Sequence, residues 1–235
     1  MIRTTISNPN LFPRLFIASA AFAVSLIAAN ATANAQDSAN STDGSPHVAR
    51  VEEDWELMIG VPDVNIAGPQ ILNVISPVGN IDHTHVVFEL NHQSLPDFDL
   101  GGMQLQHWEG EKDIHFFNSR SFGALQIVDE TIKYTMSMQL NDGVLTFQVL
   151  NGKSETWGAF GGEKTLRFST KCALHHLDSY SPDVSLKYSR VGFAANRVRK
   201  LELKQVRLYD ADGKLIRTIK DVRTLHGDSA DDSTN

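Results

Sequence analysis

The clearest pattern of apolar and polar positions lies in residues 131–157, TIKYTMSMQLNDGVLTFQVLNGKSETW. Ile132, Tyr134, Met136, Met138 and Leu140 alternate with Thr131, Lys133, Thr135, Ser137 and Gln139. A period of two puts the first set on one buried face of a strand and the second on the opposite face. The Tyr134, Met136 and Met138 face is expected in the core, and the Lys133, Thr135 and Ser137 face toward solvent or a ligand groove. Asn141-Asp142-Gly143 supplies a tight turn, because these residue types tolerate positive φ. Residues 144–150 alternate again, and Asn151-Gly152 reads as a second turn, so three antiparallel strands are expected here.

Similar short runs recur at 55–59, 71–75, 85–90, 103–108, 114–118, 125–128, 166–169, 186–194, 198–209 and 214–219. Turn residues separate most of them: Pro77-Val78-Gly79-Asn80, Gly101-Gly102, Gly161-Gly162 and Asp212-Gly213. No stretch of eleven or more residues after position 35 holds a helical i, i+3, i+4, i+7 pattern. About a dozen short strands with regular turns predict an all-β, antiparallel β-sandwich or barrel, and the lack of βαβ spacing argues against a parallel sheet. Two runs change phase. Leu186 and Tyr188 are out of step with Val191 and Phe193, and Leu201 and Leu203 with Val206 and Leu208. An extra residue in each strand, a β-bulge, restores a common buried face.

The N-terminus has a different character. Arg3 and Arg14 precede an apolar run of 15 residues, Leu15 to Ala29, and small residues end in Ala33-Asn34-Ala35. This is the pattern of a secretory signal peptide, residues 1–35, with cleavage after Ala35. The run is short for a bilayer span, which needs about 20 residues; an uncleaved anchor is the alternative. A periplasmic or extracellular address follows, with no membrane insertion after cleavage. Residues 36–50 are polar and predict a flexible linker, and 227–235 an acidic disordered tail. Residues 51–226 form the expected single β-sandwich domain, large enough for a substantial core.

Composition narrows the partners. The formal charge is −7, and loss of the two N-terminal arginines takes it to −9. Phosphate recognition needs clustered Lys and Arg, so nucleic acid is a poor partner. The one basic cluster, Arg197, Arg199, Lys200, Lys204 and Arg207, has acids nearby and reads as a solvated face. The single cysteine, Cys172, permits no internal disulfide and reads as a small buried apolar residue.

The run GVLTFQVLNG at 143–152 resembles a hairpin of the concanavalin A-like lectin and glucanase (laminin G-like) jelly-roll superfamily. Val191-Gly192-Phe193, followed by VRKLELKQVRLY at 198–209, is similar to the closing strands of that superfamily, and Met103 to Trp108 after Gly101-Gly102 to an early one. The resemblance spans about residues 51–220 and implies a jelly-roll sandwich. The superfamily includes lectins, adhesion modules and glycosidases, and the fold alone does not choose among them.

Four clusters offer chemistry. Aromatic stacking on sugars points to Trp108, Trp157, His107 and Tyr180, with Gln106 and Asn118 as polar neighbours; the competing role of such residues is core filling. His83, His85 and Glu89 share strand parity, and their H-x-H-x3-E spacing resembles a cupin metal motif, a facial set for a transition metal. That set lacks a further histidine, for which His107, His115 and His175-His176 are candidates. Its flanks carry Pro77 and Pro96 where the cupin pattern has glycines, and Val86, Phe88 and Leu90 on the alternate face suit a buried side. Glu52, Asp54 and Glu56 have the E-x-D-x-E spacing of laminarinase-type glycosidases, but they open the domain, where an acidic edge strand is expected. Asp97 and Asp99, or Asp210 and Asp212, offer oxygens for Ca2+ without completing a known loop. The sequence has no G-x-S-x-G, H-E-x-x-H or phosphate-binding loop. The function expected is non-catalytic carbohydrate binding or cell-surface adhesion, with a metal-dependent cupin-like enzyme or a glycoside hydrolase as the alternative.

Overall fold

The computed structural model describes residues 46–227 except 62–68, 92, 95–98, 101, 119–122, 124, 126, 163, 193, 194, 221 and 222. The expected signal peptide, most of the linker and nearly all of the acidic tail lie outside the described residues.

Two antiparallel sheets pack face to face. The strands in chain order are β1 (Arg50–Ile59), β2 (Ile71–Ile75), β3 (Thr84–Leu90), β4 (Gln93–Ser94), β5 (Asp99–Leu100), β6 (Met103–Glu109), β7 (Lys112–Asn118), β8 (Thr131–Asn141), β9 (Val144–Ser154), β10 (Gly158–Phe160), β11 (Arg167–Lys171), β12 (Arg190–Val191), β13 (Val198–Tyr209), β14 (Leu215–Ile219) and β15 (Arg223–Gly227). The larger sheet runs β10-β9-β8-β1-β13-β14, with β11 also on β9 and β15 also on β13. The smaller runs β12-β2-β3-β6-β7, and β4 and β5 form a separate pair. Trp55, Leu57 and Ile59 from β1, Tyr134, Met136 and Met138 from β8 and Phe147 from β9 meet Ile71, Phe88 and Leu105 from the smaller sheet. The Phe88 and Tyr134 rings meet edge to face at 5.2 Å across this core. Full burial of each aliphatic side chain contributes about 1.5–3 kcal/mol. Among the described residues no helix is long and apolar enough to cross a membrane.

The expected all-β sandwich is therefore the observed fold class, and the alternation in β8 reads true, with Tyr134, Met136 and Met138 buried. Thr135 and Ser137 lie on the other face yet are also nearly fully covered. Ser137 sits in register between Glu52 of β1 and Gln148 of β9.

Five local expectations change. Asn151-Gly152 is not a turn: β9 continues to Ser154, and the register slips between Lys133↔Lys153 and Thr135↔Leu150. Asn151 takes φ +56° there, so the turn chemistry serves a bulge inside the strand. The reversal comes at residues 155–157, where the buried Glu130 carboxylate accepts from the Thr156 backbone N–H at 3.0 Å and from the Ser154 and Thr156 hydroxyls. Residues 186–194 are not one strand. Pro182–Tyr188 forms the short helix α1, started by Ser181, whose side chain accepts from the Asp183 N–H, and by Pro182 in the first turn. Among the described residues of this run, only Arg190–Val191 is strand. The second proposed bulge is present: Asp54 opposes Gln205 and Trp55 opposes Leu203, leaving Lys204 unopposed. Among the described residues 125, 127 and 128 none is in a strand, although Leu125 is buried, and β15 was not signalled by alternation. Finally, β1 is central, paired along its length with β8 and β13, and not an edge. Attachment to the sandwich also begins inside the expected linker, where the Ala49 N–H bonds the Tyr209 carbonyl at 2.8 Å.

Candidate functional site

The outer face of the smaller sheet carries the most organised polar surface. Val86, Phe88 and Leu90 point into the core, so His85, Val87 and Glu89 face outward on β3. The same alternation on β6 buries Met103 and Leu105 and turns Gln104, Gln106 and Trp108 outward. Register then sets His85 opposite Trp108, Val87 opposite Gln106 and Glu89 opposite Gln104.

These side chains join into one chain of contacts. The Gln106 amide donates to Glu89 at 2.6 Å and to Gln104 at 2.8 Å, while its carbonyl accepts from the Trp108 indole N–H at 3.0 Å. Gln70, just ahead of β2, also donates to Glu89. Trp108 and His85 stack at 6.4 Å with an interplanar angle of 16°. Every polar atom of the Gln106 side chain is thereby used, which fixes the amide orientation. Glu89, Gln104, Gln106 and His85 are all buried, and Trp108 is half-buried. Buried polar groups on a sheet face are far less common than buried apolar ones. Burial lowers the His85 imidazole pKa, against the opposing hydrogen bonds to the His83 and Ile81 backbone, so the ring is held neutral.

Of the four residues expected for sugar stacking, only Trp108 stands on this face. His107, its neighbour in sequence, points inward, stacks on Phe168 at 4.7 Å and bonds the Thr84 hydroxyl at 3.0 Å. Trp157 sits at the β9–β10 reversal, its indole N–H on the Gly123 carbonyl and its ring edge-on to Phe160 at 6.2 Å. The Tyr180 hydroxyl donates to Glu53 at 2.7 Å. These three are engaged in packing, and the four do not converge. The Asn118 backbone lies on β7 opposite Gln104.

His83, His85 and Glu89 do not form one ligand set. His85 Nδ1 lies 3.2 Å from the His83 backbone carbonyl, His83 is exposed, and the two glutamines hold the Glu89 carboxylate. His107 and His85 face opposite sides of their sheet, so His107 does not complete that set. Glu52, Asp54 and Glu56 share the outer face of the larger sheet, each tied to cations. Glu52 meets Arg50 at 3.4 Å and Arg207 at 3.1 Å, Asp54 meets Arg207 at 2.8 Å, and Glu56 meets Lys200 at 2.8 Å and Lys133 at 3.0 Å. The Lys200 hydrogen bond leads in pulling Glu56 down to about 2. A carboxylate so firmly ionised is a poor general acid. The basic cluster reads as expected, a solvated ion-pair face that also holds Glu202 between Lys200 and Lys204. Asp210 accepts from the Lys214 backbone N–H at 2.8 Å, so its carboxylate serves the turn to β14; Asp97 lies outside the described residues. Cys172 is half-buried against the core.

Two groups escaped the sequence reading. Glu53 is fully buried, although its parity with Val51, Trp55 and Leu57 signalled an acid on the apolar face of β1. His47 and Asp178 gather with His176, from segments 129 or more positions apart, which no local spacing reveals.

The fold and this face define an antiparallel β-sandwich that presents a hydrogen-bonded row of glutamines, a glutamate and an aromatic pair. Comparison with known families finds no family model that matches the chain, and comparison with curated proteins finds no relative.

Proposed function

We propose that this protein binds carbohydrate, without transforming it, on the outer face of the smaller sheet. The hydrogen-bonded row Gln70–Glu89–Gln106–Trp108 carries the reading. Sugar hydroxyls both donate and accept, and they match planar amides and carboxylates whose orientation is fixed before binding, because less ordering entropy is then lost. The half-buried Trp108 offers an aromatic surface for the C–H face of a pyranose ring beside those polar groups. The concanavalin A-like resemblance and the expected export signal support the same reading, since an exported lectin-like module meets glycans. A metal-dependent enzyme built on His83, His85 and Glu89 has less support, because His83 is exposed and His85 Nδ1 faces the His83 backbone carbonyl, so the three do not gather as one ligand set.

Screening the purified protein on a glycan array, followed by titration calorimetry with the best ligand, tests this. Binding that falls at least about tenfold in Trp108→Ala, with the fold retained, is the expected result. An array with no ligand, or equal binding by Trp108→Ala, rejects it.

A further inference from the structure

We propose that His47, His176 and Asp178 form a binding site for a borderline transition-metal ion of the Zn2+, Ni2+ or Cu2+ class. The site lies apart from the sheet face described above and stands independently of the carbohydrate reading.

Backbone pairing assembles it. The Leu177 N–H donates to the Val48 carbonyl at 2.7 Å, and the Val48 N–H donates to Asp178 Oδ1 at 2.7 Å. These two bonds hold the segment ahead of β1 beside the loop that leads into α1. Asp178 Oδ2 is left facing two imidazoles, with His47 Nδ1 at 2.6 Å and His176 Nδ1 at 3.2 Å. The rings stack at 4.7 Å with an interplanar angle of 14°. One ligand atom from each residue lies within 4.8 Å of the others, and among the described residues this is the only three-residue group to meet that geometry.

The donor set selects the ion. Two imidazole nitrogens and one carboxylate oxygen suit Zn2+ and its neighbours, whereas Ca2+ takes six to eight oxygens. Ligands about 2.0–2.2 Å from Zn2+ lie roughly 3.3 Å apart. All three side chains are exposed, so rotation of the rings closes the remaining gap, and water fills the open positions. Without metal, two histidine edges share one carboxylate oxygen, and each needs a proton to bond it. Each ring that gives Nδ1 to an ion carries its proton on Nε2 instead, and because only a neutral imidazole can ligate, acid competes with the ion and binding weakens as pH falls. Its structural effect is to clip the start of the central strand β1 to the loop carrying Tyr180. An ion that binds only the folded state stabilises it in proportion to the logarithm of its concentration.

The test uses the full chain, purified without a polyhistidine tag, stripped with EDTA and titrated with ZnCl2 by calorimetry near neutral pH. One equivalent is expected to bind and to raise the thermal midpoint. His176→Ala and Asp178→Asn should each weaken binding at least about tenfold and abolish the midpoint shift, while His83→Ala behaves as the parent. No binding, or unchanged affinity in both His176→Ala and Asp178→Asn, overturns the proposal. Loss of binding in His83→Ala alone overturns it too, by moving the ion to the other sheet.

Discussion

The Tyr180 hydroxyl donates to the Glu53 carboxylate at 2.7 Å, linking the loop ahead of α1 to the middle of β1. Trp55 Nε1 donates to the second oxygen at 3.0 Å, and the Ser185 hydroxyl of α1 adds a third bond. Glu53 is fully buried, and burial raises its pKa to about 7 against the pull of the Ser185, Tyr180 and Trp55 hydrogen bonds. One carboxyl therefore anchors helix, loop and strand around a proton that is exchanged near neutral pH.

That proton makes stability depend on pH. In the unfolded chain Glu53 titrates near 4.5, and in the folded chain near 7. The folded state holds the proton more tightly, so the Glu53 contribution is fully present below about pH 4.5 and is lost as pH rises through 7. A gap of this size is worth on the order of 3 kcal/mol. Urea denaturation at pH 5 and pH 8 should show this loss in the parent. It should be largely absent from Glu53→Gln, whose amide carries no titrating proton. An identical drop in both proteins would assign the effect elsewhere.

Glu56, three residues on, has the opposite sign. Its pKa is lowered to about 2, first through the Lys200 hydrogen bond, with Lys133 adding to the pull. Its contribution is present above about pH 4.5 and is lost as pH falls toward 2. Glu56→Gln should flatten the acid limb between pH 4.5 and 2 and leave the limb above pH 5 unchanged. Circular dichroism across that range reads the difference, and a parallel acid limb in the variant contradicts it.

How much of this was legible in the sequence depends on which force set each feature. β8 was readable because period-two burial is local, and its partners on either side obey the same rule. The β13 bulge was readable as a phase change between Leu203 and Val206, since a buried face has to be continuous. Asn151-Gly152 misled because positive φ serves a bulge as well as a turn, and only the Phe160 ring across β9–β10 decides between them. α1 was hidden by length: its 7 residues hold too few turns to show a helical period, although Ser181-Pro182-Asp183 carried the cap. In the candidate site, the aromatic types of His107 and Trp108 pointed to one shared role, but alternation along β6 turns adjacent residues to opposite faces, and those orientations separate a binding role from a packing one. The His47, His176 and Asp178 cluster depends on long-range backbone pairing and had no local signature.

Gly152 tests the bulge. A Cβ there would lie 2.3 Å from the Phe160 ring. That ring is buried and hemmed by Phe88, Tyr134 and Trp157, so it has no room to withdraw. Gly152→Ala should cost about 1–3 kcal/mol by overpacking. Gly158→Ala, at φ +70° with open space around it, should cost about 1–2 kcal/mol through backbone strain alone. Near-UV circular dichroism, which reports aromatic packing, should change in Gly152→Ala and not in Gly158→Ala. An unchanged spectrum in Gly152→Ala argues against the close approach.

His107 and Trp108 provide the sharpest separation of scaffold from site. His107 stacks on Phe168 inside the sandwich, and burial lowers its pKa, so its ring is a neutral part of the core. His107→Ala removes that packing and the Thr84 bond, which should cost about 1–3 kcal/mol of stability while glycan affinity stays within about twofold. Trp108→Ala leaves the core untouched, and its stability should stay within about 1 kcal/mol of the parent, while affinity falls at least about tenfold. Paired denaturation and calorimetry on the two variants read both quantities. The carbohydrate face predicts that the losses fall on different measurements for the two neighbours. If His107→Ala weakens binding as much as Trp108→Ala at equal stability, the ligand lies inside the sandwich or at its rim, and the outer face is only a support for the β3–β6 pair.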